Sequence, residues 1–215
     1  MDSKDLPKQV LQLEKEDSVT STEIFYMEDS KGSYNPYLFL YHGVRFDERL
    51  IKVENIFKSR NILAGKYTNN YYGYDDNANK GEYVSLTKYD TDYNSGFVVF
   101  VQENIAFLVS PECDAILTKY VDYHTWDKIK NEKLKNIYSY MKGEFMVKDK
   151  IPFEHVKAIG FPYKYLCWSK DEKVANEMLK RLRKIMKIHK IDFDIVDHSD
   201  FNKVFVNGEK KSVKW

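Results

Sequence analysis

Residues 37 to 66 read YLFLYHGVRFDERLIKVENIFKSRNILAGK, and this stretch decides the fold. Tyr37, Phe39 and Tyr41 alternate with Leu38, Leu40 and His42, and both sets are largely apolar. A short run that is apolar on both faces predicts a strand covered on both sides. The pattern predicts that it ends at His42-Gly43, a polar imidazole followed by a flexible residue. Leu50, Ile51, Val53, Ile56 and Phe57 then recur at helical spacing among Glu48, Arg49, Lys52, Glu54 and Lys58, predicting an amphipathic helix that leads to a second glycine, Gly65. A buried strand ending on a histidine, with a bend and a helix after it, suits a ligand site, because a rigid sheet then holds a side chain against a cleft.

The whole chain has 215 residues and a formal net charge of +1, so no global electrostatic pull toward nucleic acid or an anionic membrane is expected. Cys113 and Cys167 lie far apart, fit no metal or redox spacing, and read as reduced, buried residues. The opening MDSKDLPKQVLQLEKEDS is charged and carries no apolar signal region, and no segment approaches the length of a membrane span. The expected location is the cytosol, its own or that of a host cell into which the protein is delivered.

Residues 1–33 read as a polar lead-in, with a short strand at Glu23 to Met27. Lys66 to Glu82, dense in Asn, Asp, Gly and Tyr, reads as a long loop whose tyrosines Tyr67, Tyr71, Tyr72 and Tyr74 either stack on a flat ligand or pin the loop down. Glu82 to Thr87 predicts a strand. Phe97 to Val101 and Ile105 to Ser110, joined by Gln102-Glu103-Asn104, predict a β-hairpin. Ala115 to Tyr123 reads as helical, and Trp126 to Tyr140 as a helix or a structured loop. Gly143 to Val147 and Val156 to Phe161 are further strands. Ser169, with Glu172 three residues on, has the pattern of a capping box. It opens a helix whose stripe is Val174, Met178, Leu182, Ile185 and Met186, with a basic outer face that reads as solvated. Phe193 to Val196 predicts a strand, and the chain from Asn207 reads as a polar tail.

The five histidines show no HxxxH or HExxH spacing, so no metal site is expected, and P-loop, GxGxxG and GxSxG patterns are absent. Three elements in order remain: Tyr41-His42-Gly43, the Tyr83 to Thr87 strand, and Glu144 in GEFMVKDKIPFEHV. This order resembles the ADP-ribosyltransferase superfamily, in particular its histidine-bearing branch. YHGV at 41–44 is similar to the family's YHGT-like strand. ENIFKSRNILAGK at 54–66 is similar to its NIxxIxxxGL helix, EYVSLT to its F(I/L)ST(S/T) strand, and GEFMVKDKIPFEHVKAI to its glutamate strand with the following IPxEYIKxI segment. The resemblance spans residues 37 to 161.

That resemblance implies an α+β fold, a pair of bent, packed β-sheets with flanking helices and NAD in the cleft between them. It implies one domain over 34–215, with 168–215 packing on it. NAD would be the substrate and a macromolecule, protein or nucleic acid, the acceptor, in the setting of a bacterial toxin, effector or phage-conflict protein with an antitoxin or regulator as a further partner. His42 would bond the adenosine ribose and Gly43 would admit the nicotinamide amide. Ser85 and Thr87 would support the nicotinamide pocket, and Tyr72 in the loop would cover NAD. Tyr83 and Tyr89 are alternatives for the ring that stacks on nicotinamide. Glu144 would be the catalytic carboxylate, with Glu154 its rival. The chain departs from the family at Val44, where Thr or Ser is common, at Leu86 in SLT, and at Lys142, where arginine-modifying members carry Glu or Gln. The alternatives are an inactive binding module on the same fold, an RNA 2′-phosphotransferase-like enzyme, and an unrelated α+β domain.

Overall fold

The computed structural model describes residues 19–20, 36, 39–45, 47, 49–68, 83–91, 95–113, 115–117, 145–200, 203–206 and 209–212. The lead-in other than residues 19–20, the loop from residue 69 to 82, and the segment from residue 118 to 144 lie outside the described residues. The expected strand at Glu23 to Met27 and the segment Trp126 to Tyr140 fall there. The architecture is α+β, with twelve strands and four α-helices among the described residues.

The strands are β1 (Val19–Thr20), β2 (Leu40–Val44), β3 (Asn61–Leu63), β4 (Tyr83–Lys88), β5 (Ile105–Val109), β6 (Ile116–Leu117), β7 (Phe145–Lys148), β8 (Lys150–Pro152), β9 (Val156–Phe161), β10 (Asp194–Asp197), β11 (Lys203–Val206) and β12 (Glu209–Ser212). The helices are α1 (Ile51–Ser59), α2 (Gly96–Phe100), α3 (Tyr163–Ser169) and α4 (Glu172–Ile188). Ten strands join in the order β1-β6-β7-β4-β2-β5-β9-β10-β11-β12, and β3 with β8 forms a separate two-stranded sheet. The β9–β10 pair is parallel and the other pairs are antiparallel, so the large sheet is mixed. A parallel pair needs a long crossover, and α3 with α4 supplies it.

Period-two alternation sorts the side chains of the central strands onto two apolar faces. Leu40, Val44, Phe107 and Leu86 join α1 and the inner stripe of α4 in the main core. Phe39, Tyr41, Ala106 and Leu108 join Phe97 and Val101 of α2 and its following turn in a second, smaller core. The sheet is therefore covered on both sides at β2, as the doubly apolar run predicts.

Several elements differ from the sequence reading. β2 runs on through His42 and Gly43 to Val44, because its far edge stays paired with β5 over that length. The expected first arm of a hairpin is helix α2. Five apolar residues fit either state, and the decision falls to Ser95, whose side chain accepts from the Val98 amide and caps the turn. Residues 116–117 are strand, held against β7, where a helix is expected. The residues YKYLCWS form α3, so Ser169 ends one helix and Asp171 caps the next, accepting from the Val174 amide at 2.7 Å. α1 ends at Ser59, and β3 separates it from Gly65. The expected polar tail contains β12, which pairs with β11. Neither cysteine is in a disulfide, and both are half-buried. Among the described residues no helix is long and apolar enough to cross a membrane.

Candidate functional site

The three motif strands are immediate neighbours, in the spatial order β7, β4, β2. Their pairing does not run evenly. β4 meets β2 only at its end, through Leu40↔Lys88 and Tyr41↔Thr87. From Leu86 back to Tyr83 it pairs instead with β7. β2 meanwhile continues along β5 as far as Val44. The two halves of the sheet therefore part after Tyr41 and Thr87, and a wedge opens between β2 and β4. Unbroken register would set Gly43 opposite Ser85; neither residue has that partner.

His42 bridges the wedge. Its Nδ1 lies 2.9 Å from the Ser85 carbonyl oxygen. A carbonyl only accepts, so Nδ1 carries the proton and donates. The side chain thus supplies the bond that the ladder no longer gives that carbonyl. Burial holds the imidazole below the usual histidine range, and the bond to Ser85 acts weakly in the other direction. At neutral pH the ring is therefore uncharged. Its second nitrogen, Nε2, is a bare acceptor with no hydrogen-bond partner among the described residues. His42, Gly43 and Ser85 are half-buried, while Leu40, Tyr41, Val84 and Leu86 around them are buried. The wedge is thus the place where the strands open toward solvent, and it offers an acceptor nitrogen, a strand edge and a hydroxyl.

Gly43 has a structural cause of its own. A Cβ there would overlap the Phe100 carbonyl oxygen and lie 3.3 Å from Val101 Cγ2. The space a side chain would fill is taken by the end of α2, so the close approach that demands glycine is made by this chain's own backbone. Thr87 lies under α2 as well, with its Oγ1 at 3.0 Å from a Cβ placed on Gly96. It supports the helix rather than the wedge.

Of the remaining candidates, Tyr83 is 6 % exposed and pairs opposite Lys148, at the end of β4 away from His42. Tyr89 packs edge-on against Phe97, with ring centroids 4.8 Å apart, and belongs to the second core. The Tyr89 ring therefore faces the second core and not the wedge. Glu144 and Tyr72 lie outside the described residues. Phe145, which follows Glu144 in the chain, opens β7 opposite Leu86. Glu154 is well exposed, with its carboxylate 3.6 Å from the His155 ring. It stands just before Val156, whose partner Val109 lies opposite Leu40, so it sits at the other end of the sheet from Gly43. Val44 and Leu86, the two departures from the family pattern, both point into the main core. A hydroxyl at position 44 would be buried there and would not reach the wedge.

The sequence reading missed a second concavity beside this one. A cleft of about 630 Å³ lies between α2 with its following turn and α3, and Gly43 and Arg45 at the end of β2 form its floor. Tyr165 walls it, its hydroxyl donating to Glu103 at 2.7 Å. The signal available in sequence was the paired apolar-aromatic runs FVVF and YKYLCWS, which carry more rings than two short helices can bury. Compared with protein-family models, curated proteins and solved structures, the chain matches none.

Proposed function

We propose that this protein is an NAD-dependent ADP-ribosyltransferase, with NAD seated in the wedge between β2 and β4. The observation that carries the reading is the His42–Ser85 bond across the parted strands. It fixes the tautomer of an imidazole that burial keeps neutral, and so leaves Nε2 as an acceptor that can take a hydrogen bond from a ribose hydroxyl. The adjacency of the three motif strands supports it, because the chain order alone does not require β7, β4 and β2 to be neighbours. The finer fold assignment, a bent pair of sheets of the transferase type, belongs to the same proposal and is supported by the parting of the large sheet at β4.

In this reading His42 Nε2 accepts from the adenosine ribose, and the free edges of Gly43 and Ser85 hold the nicotinamide amide. Glu144 is the catalytic carboxylate. The bond between ribose C1′ and the nicotinamide nitrogen breaks, and its electron pair leaves with nicotinamide. Positive charge grows on the ribose as it does so, and the carboxylate of Glu144 stabilises that charge. A lone pair of the acceptor forms the new bond to C1′, and the acceptor loses a proton to solvent or a nearby base. Glu154 is a weaker candidate, given its exposed place at the opposite end of the sheet. Adding NAD labelled in its adenosine part to a cell lysate with the purified protein tests the proposal. Label carried into macromolecules is the expected result. Label that stays in free NAD or free ADP-ribose would refute transfer.

A further inference from the structure

We infer that the cleft between α2 and α3 binds single-stranded nucleic acid, and that this strand is the acceptor. The acceptor role rests on the transferase reading; the binding does not. Two large rings stand in solvent, Phe100 in the lining of the cleft and Trp168 beside it, against the lining residue Tyr165. Phe100 is 68 % exposed at the end of α2, and Trp168 is 81 % exposed on α3. α2 spends Phe97 and α3 spends Tyr163 and Leu166 on the cores, so these two rings are surplus to packing. Trp168 leans edge-on against Tyr165, with centroids 5.9 Å apart, and Tyr165 is tied to Glu103. Trp168 is thus presented from a fixed wall.

Charge complements the rings. Arg45 and Lys170 line the cleft, both exposed, and neither has an ion-pair partner among the described residues. Glu103 also lines the cleft and accepts from the Tyr165 hydroxyl, so the lining carries two cations against one carboxylate. Open aromatic faces beside unpaired cations match the chemistry of unpaired bases on a phosphate backbone. A duplex keeps its bases stacked on each other and gains nothing from such rings. A protein partner would use the rings and Arg45 equally, since aromatic residues and arginine are enriched in protein interfaces, but not Lys170, whose type is depleted there. The cleft shares Gly43 with the wedge, so a base held there would lie beside the bond that breaks.

The test is fluorescence anisotropy of a labelled short oligouridylate with the full chain across a salt titration. Phe100→Ala and Trp168→Ala should each weaken binding by about five- to 150-fold, the range for loss of one stacking ring. Removing Arg45 and Lys170 together should flatten the slope of log affinity against log salt by about 1.4, for two phosphates on a single strand. Both rings are exposed, so unchanged thermal midpoints are expected and separate lost contact from lost fold. Four results would overturn the inference: no salt-dependent binding, binding that both ring variants leave intact, displacement of the oligonucleotide by NAD alone, or a protein captured through the same residues in place of nucleic acid. Nicotinamide release from NAD, measured in parallel, keeps the two readings apart. Oligonucleotide binding without release retains the cleft and removes the transferase. Release without oligonucleotide binding does the reverse.

Discussion

Replacing His42 separates the two jobs assigned to its two nitrogens. Nδ1 holds the Ser85 carbonyl at 2.9 Å, and the proposed transferase function gives Nε2 to a ribose hydroxyl. His42→Ala removes both. A buried carbonyl left without a partner costs about 1–3 kcal/mol, and the half-buried Ser85 can recruit some water, which places the loss near the lower end at about 1 kcal/mol. For a chain of this size that lowers the thermal midpoint by about 2–4 °C. Losing the ribose bond, about 0.5–1.5 kcal/mol, weakens NAD binding by about two- to twelvefold. His42→Asn places an amide N–H where Nδ1 was and nothing where Nε2 was. It should recover most of the stability and none of the affinity. His42→Gln reaches the Nε2 position and abandons Nδ1, so it should show the opposite pattern. Calorimetric titration with NAD and thermal unfolding of the three variants read the two effects independently. An Asn variant as unstable as Ala would refute the first role, since the bond to Ser85 would then contribute nothing. An Asn variant that binds NAD as the parent does would refute the second.

Two further predictions concern the frame around the site. His198 is buried with its Nε2–H shared between the Val101 and Gln102 carbonyls, and burial lowers its pKa from 6.5 to about 4. The unfolded chain therefore takes up a proton first as pH falls, so this stability is fully present above pH 6.5 and is lost on the way down to about pH 4. At about 1.4 kcal/mol per pH unit the gap amounts to about 3 kcal/mol. His42 adds to the loss with the same sign, and buried Asp197, whose carboxyl is raised mainly by desolvation, opposes it at the acid end. Urea unfolding from pH 7.5 to 4.5 should follow this decline, and His198→Gln, which keeps a donor without the titration, should flatten it. The helix caps give a plainer contrast: Asp171→Ala should cost about 1 kcal/mol in urea unfolding and Ser169→Ala close to nothing, the reverse of what the capping-box pattern suggests.

The central strands were legible because each carries its own signature: a doubly apolar run at 37–42, an alternating YVSL at 83–86, and VKAIGF at 156–161. The long stripe of α4 was legible for the same reason, being repeated over four turns. Short apolar runs were not. FVVF fits a strand or a helical turn equally well, and a single cap from Ser95 decides it. Ser169 and Asp171 are both cap residues two positions apart, and which one serves depends on α3 ending first. Of the site, the pairing of His42 with the Ser85 strand was foreshadowed by the order of motifs, but the bond itself exists only because the sheet parts there. Tyr83 is buried and Thr87 lies under α2, placements that alternation does not give, because it tells which residues share a face and not which face is covered. The resemblance gives Gly43 to a ligand; the end of α2 demands glycine there independently, through a contact between residues more than fifty positions apart.

The most direct measurement is release of nicotinamide from NAD by the purified protein and by Glu144→Gln, with and without single-stranded RNA and lysate. The account predicts release by the parent protein and a loss of at least about a hundredfold in the variant, as expected when a group that stabilises transition-state charge is removed. Release that is equal in both proteins would remove Glu144 from the chemistry. No release under any condition, with no NAD binding by calorimetry, would contradict the transferase reading and leave the wedge as a structural feature of the sheet.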